Sequence, residues 1–224
     1  MTTTLDIISD PICPWCHIGK VRLDRALEAR PDHPFEIRWL PFQLNPEMPR
    51  AGMERAAYLE AKFGGRERAA QVYAHVAREA RASGLEIDFD AIPRTPNTLD
   101  AHRLLHWAGI EGRQTLAANQ LFHRYFLKGQ DIGDAAVLAD VARTVGMDAE
   151  VTARLLLGDA DLAEVRALDA RAREMGVTGV PTFVIGGTYA VTGAQDTETW
   201  LKIIDELLEK THELQNAARS GQGR

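Results

Sequence analysis

The sequence predicts an α/β chain whose two ends fold together around a large helical insertion. Three observations carry that prediction. An apolar run, Leu5-Asp6-Ile7-Ile8-Ser9, leads through Cys13-Pro14-Trp15-Cys16 into a helical pattern. From about Asn45 to about Gly176 the chain is almost all helix-compatible, rich in Ala, Leu, Arg and Glu. Strand signals then return at Thr182-Phe183-Val184-Ile185, which is apolar and β-branched or aromatic.

Taken in order, Leu5–Ser9 reads as a buried strand. The segment after it reads as a helix with Ile18, Val21, Ala26 and Leu27 on one imperfect apolar face, ending near Pro31. Phe35 to Leu40 alternates apolar and polar residues in the manner of a half-buried strand. The long middle segment breaks at Gly64-Gly65, at Gly84, from Pro93 to Asn97, at Gly112 and from Gly129 to Gly133. Asn97 is the expected N-cap of one of its helices, and Leu85 to Phe89 is too short to assign. Gly186-Gly187 then turns the chain from one strand into a second, Thr188–Thr192, as a hairpin. A last helix starts near Asp196, with Trp200, Ile203, Ile204, Leu207 and Leu208 on one face. A connection as long as 45–176 must carry its own core. The expected domains are therefore 1–44 with 177–215, an inserted helical domain over 45–176, and a disordered tail over 216–224.

Cys13 and Cys16 are the only cysteines among 224 residues. A Cys-x-x-Cys at a strand-to-helix junction is the sign of a thioredoxin-like redox site. Unpaired N–H groups at the helix N-terminus favour a thiolate there, and two-residue spacing lets the second thiol close a disulfide on the first. A zinc site would need four ligands, and no second cysteine pair completes the tetrahedron, so no metal is expected. A formal net charge of −6 argues against a nucleic-acid-binding surface. The clusters Arg66 with Arg68 and Arg78 with Arg81 alternate with Glu67 and Glu79 as solvated helix faces. Nothing approaches the ~20 apolar residues of a membrane span. The start, Met-Thr-Thr-Thr-Leu-Asp, lacks the pattern of a secretory leader, so a cytoplasmic location is expected, where a disulfide is transient and catalytic.

The late Gly179-Val180-Pro181-Thr182-Phe183, with Ser9-Asp10-Pro11-Ile12 before the cysteines, resembles DsbA-type thiol–disulfide oxidoreductases. Within them the chain is most similar to the FrnE-like branch, through Asn97-Thr98 with Ala101-His102-Arg103-Leu104, Tyr125-Phe126 with Gly129-Gln130-Asp131-Ile132, and Gly193-Ala194-Gln195. The resemblance implies a thioredoxin-like fold with a helical domain inserted between its halves. It implies a cis-proline at Pro181, exposing the Val180 backbone to an extended substrate. Cys13, nearer the helix N-terminus, is the expected attacking thiol and Cys16 the resolving one. Pro14 presets the first helical turn, and Trp15 offers an apolar rim to a substrate. The resemblance also sets His102 over the cleft, where it could contact substrate. Asp10 reads as a turn residue before Pro11, and His75, His123 and His212 as surface or packing residues.

The chain departs from the DsbA pattern in having Trp15, rather than histidine, inside the motif. The same branch is similar to kappa-class glutathione transferases and 2-hydroxychromene-2-carboxylate isomerases, which typically keep one serine where this chain has Cys13. The leading expectation is a dithiol–disulfide oxidoreductase acting on protein or small-molecule thiols and disulfides. The competing ones are a glutathione-dependent isomerase or transferase and a redox-sensing binding protein. No tightly bound cofactor is expected, with glutathione as redox partner or cosubstrate. Neither nucleic acid nor membrane is an expected partner; a homodimer is the assembly that analogy suggests.

Overall fold

The computed structural model describes residues 2–221, with the side chains of 212 and 214–221 outside that description. Four strands form one mixed sheet in the order β2–β1–β5–β6. Strand β1 (Thr3–Ser9) runs parallel to β2 (Phe35–Pro41) and antiparallel to β5 (Thr182–Ile185), which hairpins into β6 (Tyr189–Thr192). Leu5, Ile7 and Ile8 are buried because β1 is interior to the sheet and covered on both faces. Gly186 and Gly187 both have positive φ, which the tight turn before β6 requires.

Helix α1 (Pro14–Ala29) crosses from β1 to β2, with Pro14 in its first turn and Cys13 as its N-cap. Its Gly19 backbone lies against the Val180–Pro181 turn and Ala194. A Cβ there would come within 3.2 Å of Pro181 Cγ and of Ala194 Cα. The Val180–Pro181 peptide bond is cis. Arg22 ties the same helix to the insertion and to the turn after β6, donating to Ser83, Glu79 and the Ala194 carbonyl at 2.7–2.9 Å.

The last helix, α9 (Thr197–Gly221), packs along α1. Trp200 stands edge-on to Phe183, its ring centroid 4.7 Å away, and Arg30 pairs with Asp205 through two hydrogen bonds of 2.7 and 3.0 Å. Asp196 caps this helix through Thr199 N–H, as its position suggests. The tail expected to be disordered from 216 continues α9 as far as Gly221, since Asn216-Ala217-Ala218-Arg219 contains no helix breaker. The rest of that tail, 222–224, and the side chain of His212 lie outside the described residues.

Between the two halves run α2 (Arg55–Phe63), α3 (Arg66–Ala82), α4 (Leu99–Ile110), α5 (Gln114–Phe122), a π-helical turn (His123–Leu127), α6 (Ala135–Thr144), α7 (Ala149–Leu157) and α8 (Leu162–Glu174). Asn97 does cap α4, but from one position before the helical boundary residue. Its Oδ1 accepts from Leu99 N–H while its Nδ2 donates to the Met48 carbonyl. Arg103 is fully buried in α4, where it donates to Asp100 and to the Leu155, Gly158 and Ala160 carbonyls that end α7. The insertion is not purely helical. Met53–Glu54 and Arg94–Thr95 pair antiparallel as β3 and β4, strands too short to leave any periodicity in the sequence. Leu85 to Phe89 forms no strand.

The insertion also closes the sheet. Gln114 of α5 accepts from Trp39 N–H at 2.9 Å and donates to the Trp39 carbonyl at 3.0 Å, standing in for a neighbouring strand at the edge of β2. A cavity of about 580 Å³ follows this edge and touches neither cysteine.

Candidate active site

The turn out of β1 sets the two thiols. Cys13 N–H donates to the Asp10 carbonyl at 2.9 Å, and the Cys13 carbonyl accepts from Cys16 N–H at 3.1 Å and His17 N–H at 3.3 Å. Cys13 therefore sits outside the first turn of α1, where the positive end of the helix faces its sulfur. Both cysteines are free thiols. Cys13 Sγ donates to the Val180 carbonyl at 3.6 Å, which brings the two halves of the motif, 167 residues apart, into contact.

The thiols differ in surroundings. Cys13 lines a cleft of about 280 Å³ together with Pro14, Trp15 and Val180. Both thiols are buried, Cys13 at 4% and Cys16 at 1% exposure, and of the two only Cys13 borders the cleft. Burial pushes the Cys16 thiol well above its ordinary range, and the neighbouring Cys13 adds to this. The Ser9 hydroxyl, which has no hydrogen-bond partner of its own, and the Asp10 backbone pull the other way at the same sulfur. The arrangement thus has one sulfur bordering the cleft and one held protonated behind it.

Trp15 is half-buried at the cleft rim, its ring 5.5 Å from that of His75 on α3. Pro14 and Val180 complete the cleft wall around Cys13, while Pro181 packs against Gly19 behind that wall.

His102 is not in this cleft. It is 2% exposed, below the first turn of α4, with Nε2 3.8 Å from the Asp10 carboxyl and without a hydrogen-bond partner. Burial lowers it to about 4, so it is neutral near pH 7. Helix α4 brings it inward against the end of β2, away from the residues that line the cleft around Cys13.

Asp10 is more than a turn residue. It is fully buried, accepts from Leu44 N–H at 2.8 Å and Ile12 N–H at 3.4 Å, and burial raises it to about 7. His17 stacks on Phe122 and Phe126 with centroids 5.0 and 5.4 Å away, and burial lowers it to about 4.

The insertion adds cleft residues that sequence reasoning did not single out: Arg55, Tyr58 and Lys62 of α2, Tyr73 of α3, Thr95 of β4 and Tyr125 of the π-helical turn. Their residue types gave no signal, because an Arg and a Lys in an Ala- and Glu-rich helix read as a solvated face. Only the Tyr125-Phe126 pair had been marked, as a motif without a role. Phe122 and Trp107 are buried in the core, while Phe63 lines the cleft.

The model of the DSBA-like thioredoxin domain family matches residues 4–205. A probable DsbA oxidoreductase from Streptomyces coelicolor is 32% identical and superposes with a TM-score of 0.81, covering 91% of this chain and 89% of that one. The cytosolic disulfide reductase DsbM from Pseudomonas aeruginosa, solved with GSH, is 18% identical with a TM-score of 0.68 over 92% of this chain and 99% of its own. A 2-hydroxychromene-2-carboxylate isomerase is 17% identical with a TM-score of 0.71 over 94% and 98%. The last two likenesses are of fold alone. Among the described residues no helix is long and apolar enough to cross a membrane.

Proposed function

The chain belongs to the DSBA-like thioredoxin domain family, and on that premise we propose that it is a thiol–disulfide oxidoreductase working through a mixed disulfide on Cys13. The supporting observation is the asymmetry of the two thiols. Cys13 lines the cleft at the N-terminus of α1, whereas Cys16 is buried behind it and kept protonated.

Cys13, as the thiolate, attacks one sulfur of a substrate disulfide, and the other sulfur leaves as a thiolate that takes a proton from water. Cys16 then gives up its proton and attacks Cys13 Sγ. The bond from Cys13 to substrate breaks, and the second substrate sulfur leaves and is protonated. One disulfide and the protein dithiol have become the protein disulfide and two thiols; the reverse sequence oxidises a dithiol. The Ser9 hydroxyl and the Asp10 backbone support the charge that forms on Cys16 during resolution. The Val180 carbonyl holds the Cys13 thiol before attack, and the Val180 backbone and the Trp15 ring border the space an incoming substrate enters.

No tightly bound cofactor enters these steps; glutathione acts as redox partner. The motifs around Asn97, Tyr125 and Gly193 support a place on the FrnE-like branch, and a cytoplasmic setting belongs to the same reading.

The test is Cys16→Ser challenged with a disulfide substrate and read by intact mass. A substrate adduct should accumulate on Cys13 and catalytic turnover should stop, with no adduct in Cys13→Ser. Turnover of a small molecule with glutathione that survives Cys16→Ser would overturn the dithiol mechanism in favour of an isomerase or transferase.

A further inference from the structure

The cleft wall supplied by the insertion holds charge that dithiol chemistry leaves unused. Arg55 is 5% exposed, and among the described residues no carboxylate lies within 4.0 Å of it. Its Nη1 donates to the Tyr125 hydroxyl at 3.0 Å, while Nε and Nη2 have no partner within 3.5 Å; the Tyr73 hydroxyl is the polar group that lies beside the guanidinium. The guanidinium stands 4.9 Å from the centre of the Tyr73 ring, an attraction small against the cost of burying an unpaired charge. Beside it the Thr95 hydroxyl is buried and also unpartnered. Lys62, whose ammonium is 2.6 Å from the Tyr58 hydroxyl, adds a second cation at the mouth, also without a carboxylate. Among the described residues no acid lines the cleft, although the whole chain carries a formal charge of −6.

The unpartnered atoms have a particular chemistry. Nε and Nη2 form the side-on edge of a guanidinium, two parallel donors that match the two oxygens of a carboxylate. They are already stripped of water, so a carboxylate reaching them meets donors whose desolvation needs no further cost. Tyr58 and Tyr73, both half-buried, line the cleft beside Arg55. At about 280 Å³, and walled on one side by residues of α2 and α3, the space suits a small molecule better than a protein loop.

We propose that this cleft takes a low-molecular-weight thiol, or its disulfide, that bears a carboxylate: the sulfur meets Cys13, and the carboxylate seats on the Nε/Nη2 edge of Arg55 beside the Thr95 hydroxyl. The sulfur end of this assignment rests on the dithiol reading above; the anion seat stands without it.

The experiment compares reduction of 3,3′-dithiodipropionate and glutathione disulfide with that of neutral hydroxyethyl disulfide by the dithiol protein. The wild type should prefer the carboxylate disulfides, and Arg55→Gln should shrink that preference by about 10–100-fold, the scale of a lost hydrogen-bonded charge pair. Arg55→Lys, with the charge but not the two-donor edge, should fall between. Should Arg55→Gln fail to fold, Thr95→Val reads the same seat with a loss of roughly 3–10-fold. A second measurement is calorimetric binding of S-methylglutathione, which cannot exchange disulfides; its affinity should fall in the same variants. Equal rates for carboxylate and neutral disulfides in the wild type, or S-methylglutathione affinity untouched by both substitutions, would overturn the assignment. A wild type that, as the dithiol, reduces none of the disulfides and, as the disulfide, oxidises none of the corresponding thiols, yet binds S-methylglutathione through Arg55, would sink the oxidoreductase reading and keep the anion seat.

Discussion

The two sides of the Cys13–Cys16 motif bury polar groups in opposite ways. Behind it, burial drives Asp10 and His102 toward their neutral forms, and Asp10 spends its oxygens on the Leu44 and Ile12 backbone. Asp169, farther along the same side, is paired with Arg173 and receives Gln43 N–H. In front, Arg55 is buried among phenols with two of its three guanidinium nitrogens unpartnered. Charge that is suppressed or paired holds a structure together. Charge that is buried and left unpaired lowers stability and is accounted for by something that arrives later.

That contrast can be broken most decisively at Asp10. Asp10→Ala leaves two backbone N–H groups without acceptors and should cost about 3 kcal/mol in urea unfolding. A cost under about 0.5 kcal/mol would mean that water replaces the carboxyl and that the rear side is not structural.

A pH series sharpens the same point. His17 and His102 titrate near 4 in the folded chain against an ordinary 6.5, so the unfolded chain takes up the extra protons between those values. Stability contributed by the two neutral rings is whole above about pH 6.5 and is lost as pH falls toward 4, on the order of 2 kcal/mol for each. Asp10, raised to about 7 from 3.8, runs the other way over that window, since the folded chain now holds the extra proton. His102→Gln should therefore flatten the loss on acidification, as measured by unfolding at pH 4.5 and 6.5. An unchanged slope would mean that His102 is protonated in the fold.

The smallest effect is expected in front. Replacing the unpaired cation, as in Arg55→Met, should leave stability unchanged or raise it by about 1–2 kcal/mol, because an apolar chain of similar length relieves the burial penalty. A clear loss of stability would show Arg55 to be a structural strut and erase the difference between the two sides.

What could be read from the sequence follows the same divide. Strands β1, β2 and β5 and the hairpin were legible because alternation, β-branched runs and Gly186-Gly187 are local signals. The thiol pair was legible because a motif declares itself. The insertion was legible as helix and as a separate core, from its length and its glycine breaks, but not in the direction of its faces. That direction depends on packing between helices far apart in sequence, and so Arg55 and Thr95 passed unnoticed. His102 was misplaced for the same reason: its position along α4 was clear, the rotation of α4 about its axis was not. Asp10 looked like a turn residue because nothing within a few positions shows that Leu44 will come back to meet it.

The pairing of β1 with β5 also has a consequence in time. Strand β5 is translated roughly 170 residues after β1, and at about 5–20 residues per second the ribosome needs roughly 10–30 s to cover that distance. Until then β1 has no partner on that side, and Cys13 lacks the Val180 carbonyl to which its thiol later donates a hydrogen bond. The dithiol leaves the exit tunnel long before the strand and carbonyl that complete its surroundings. For those seconds its redox state is set by the surrounding thiol pool rather than by the finished site.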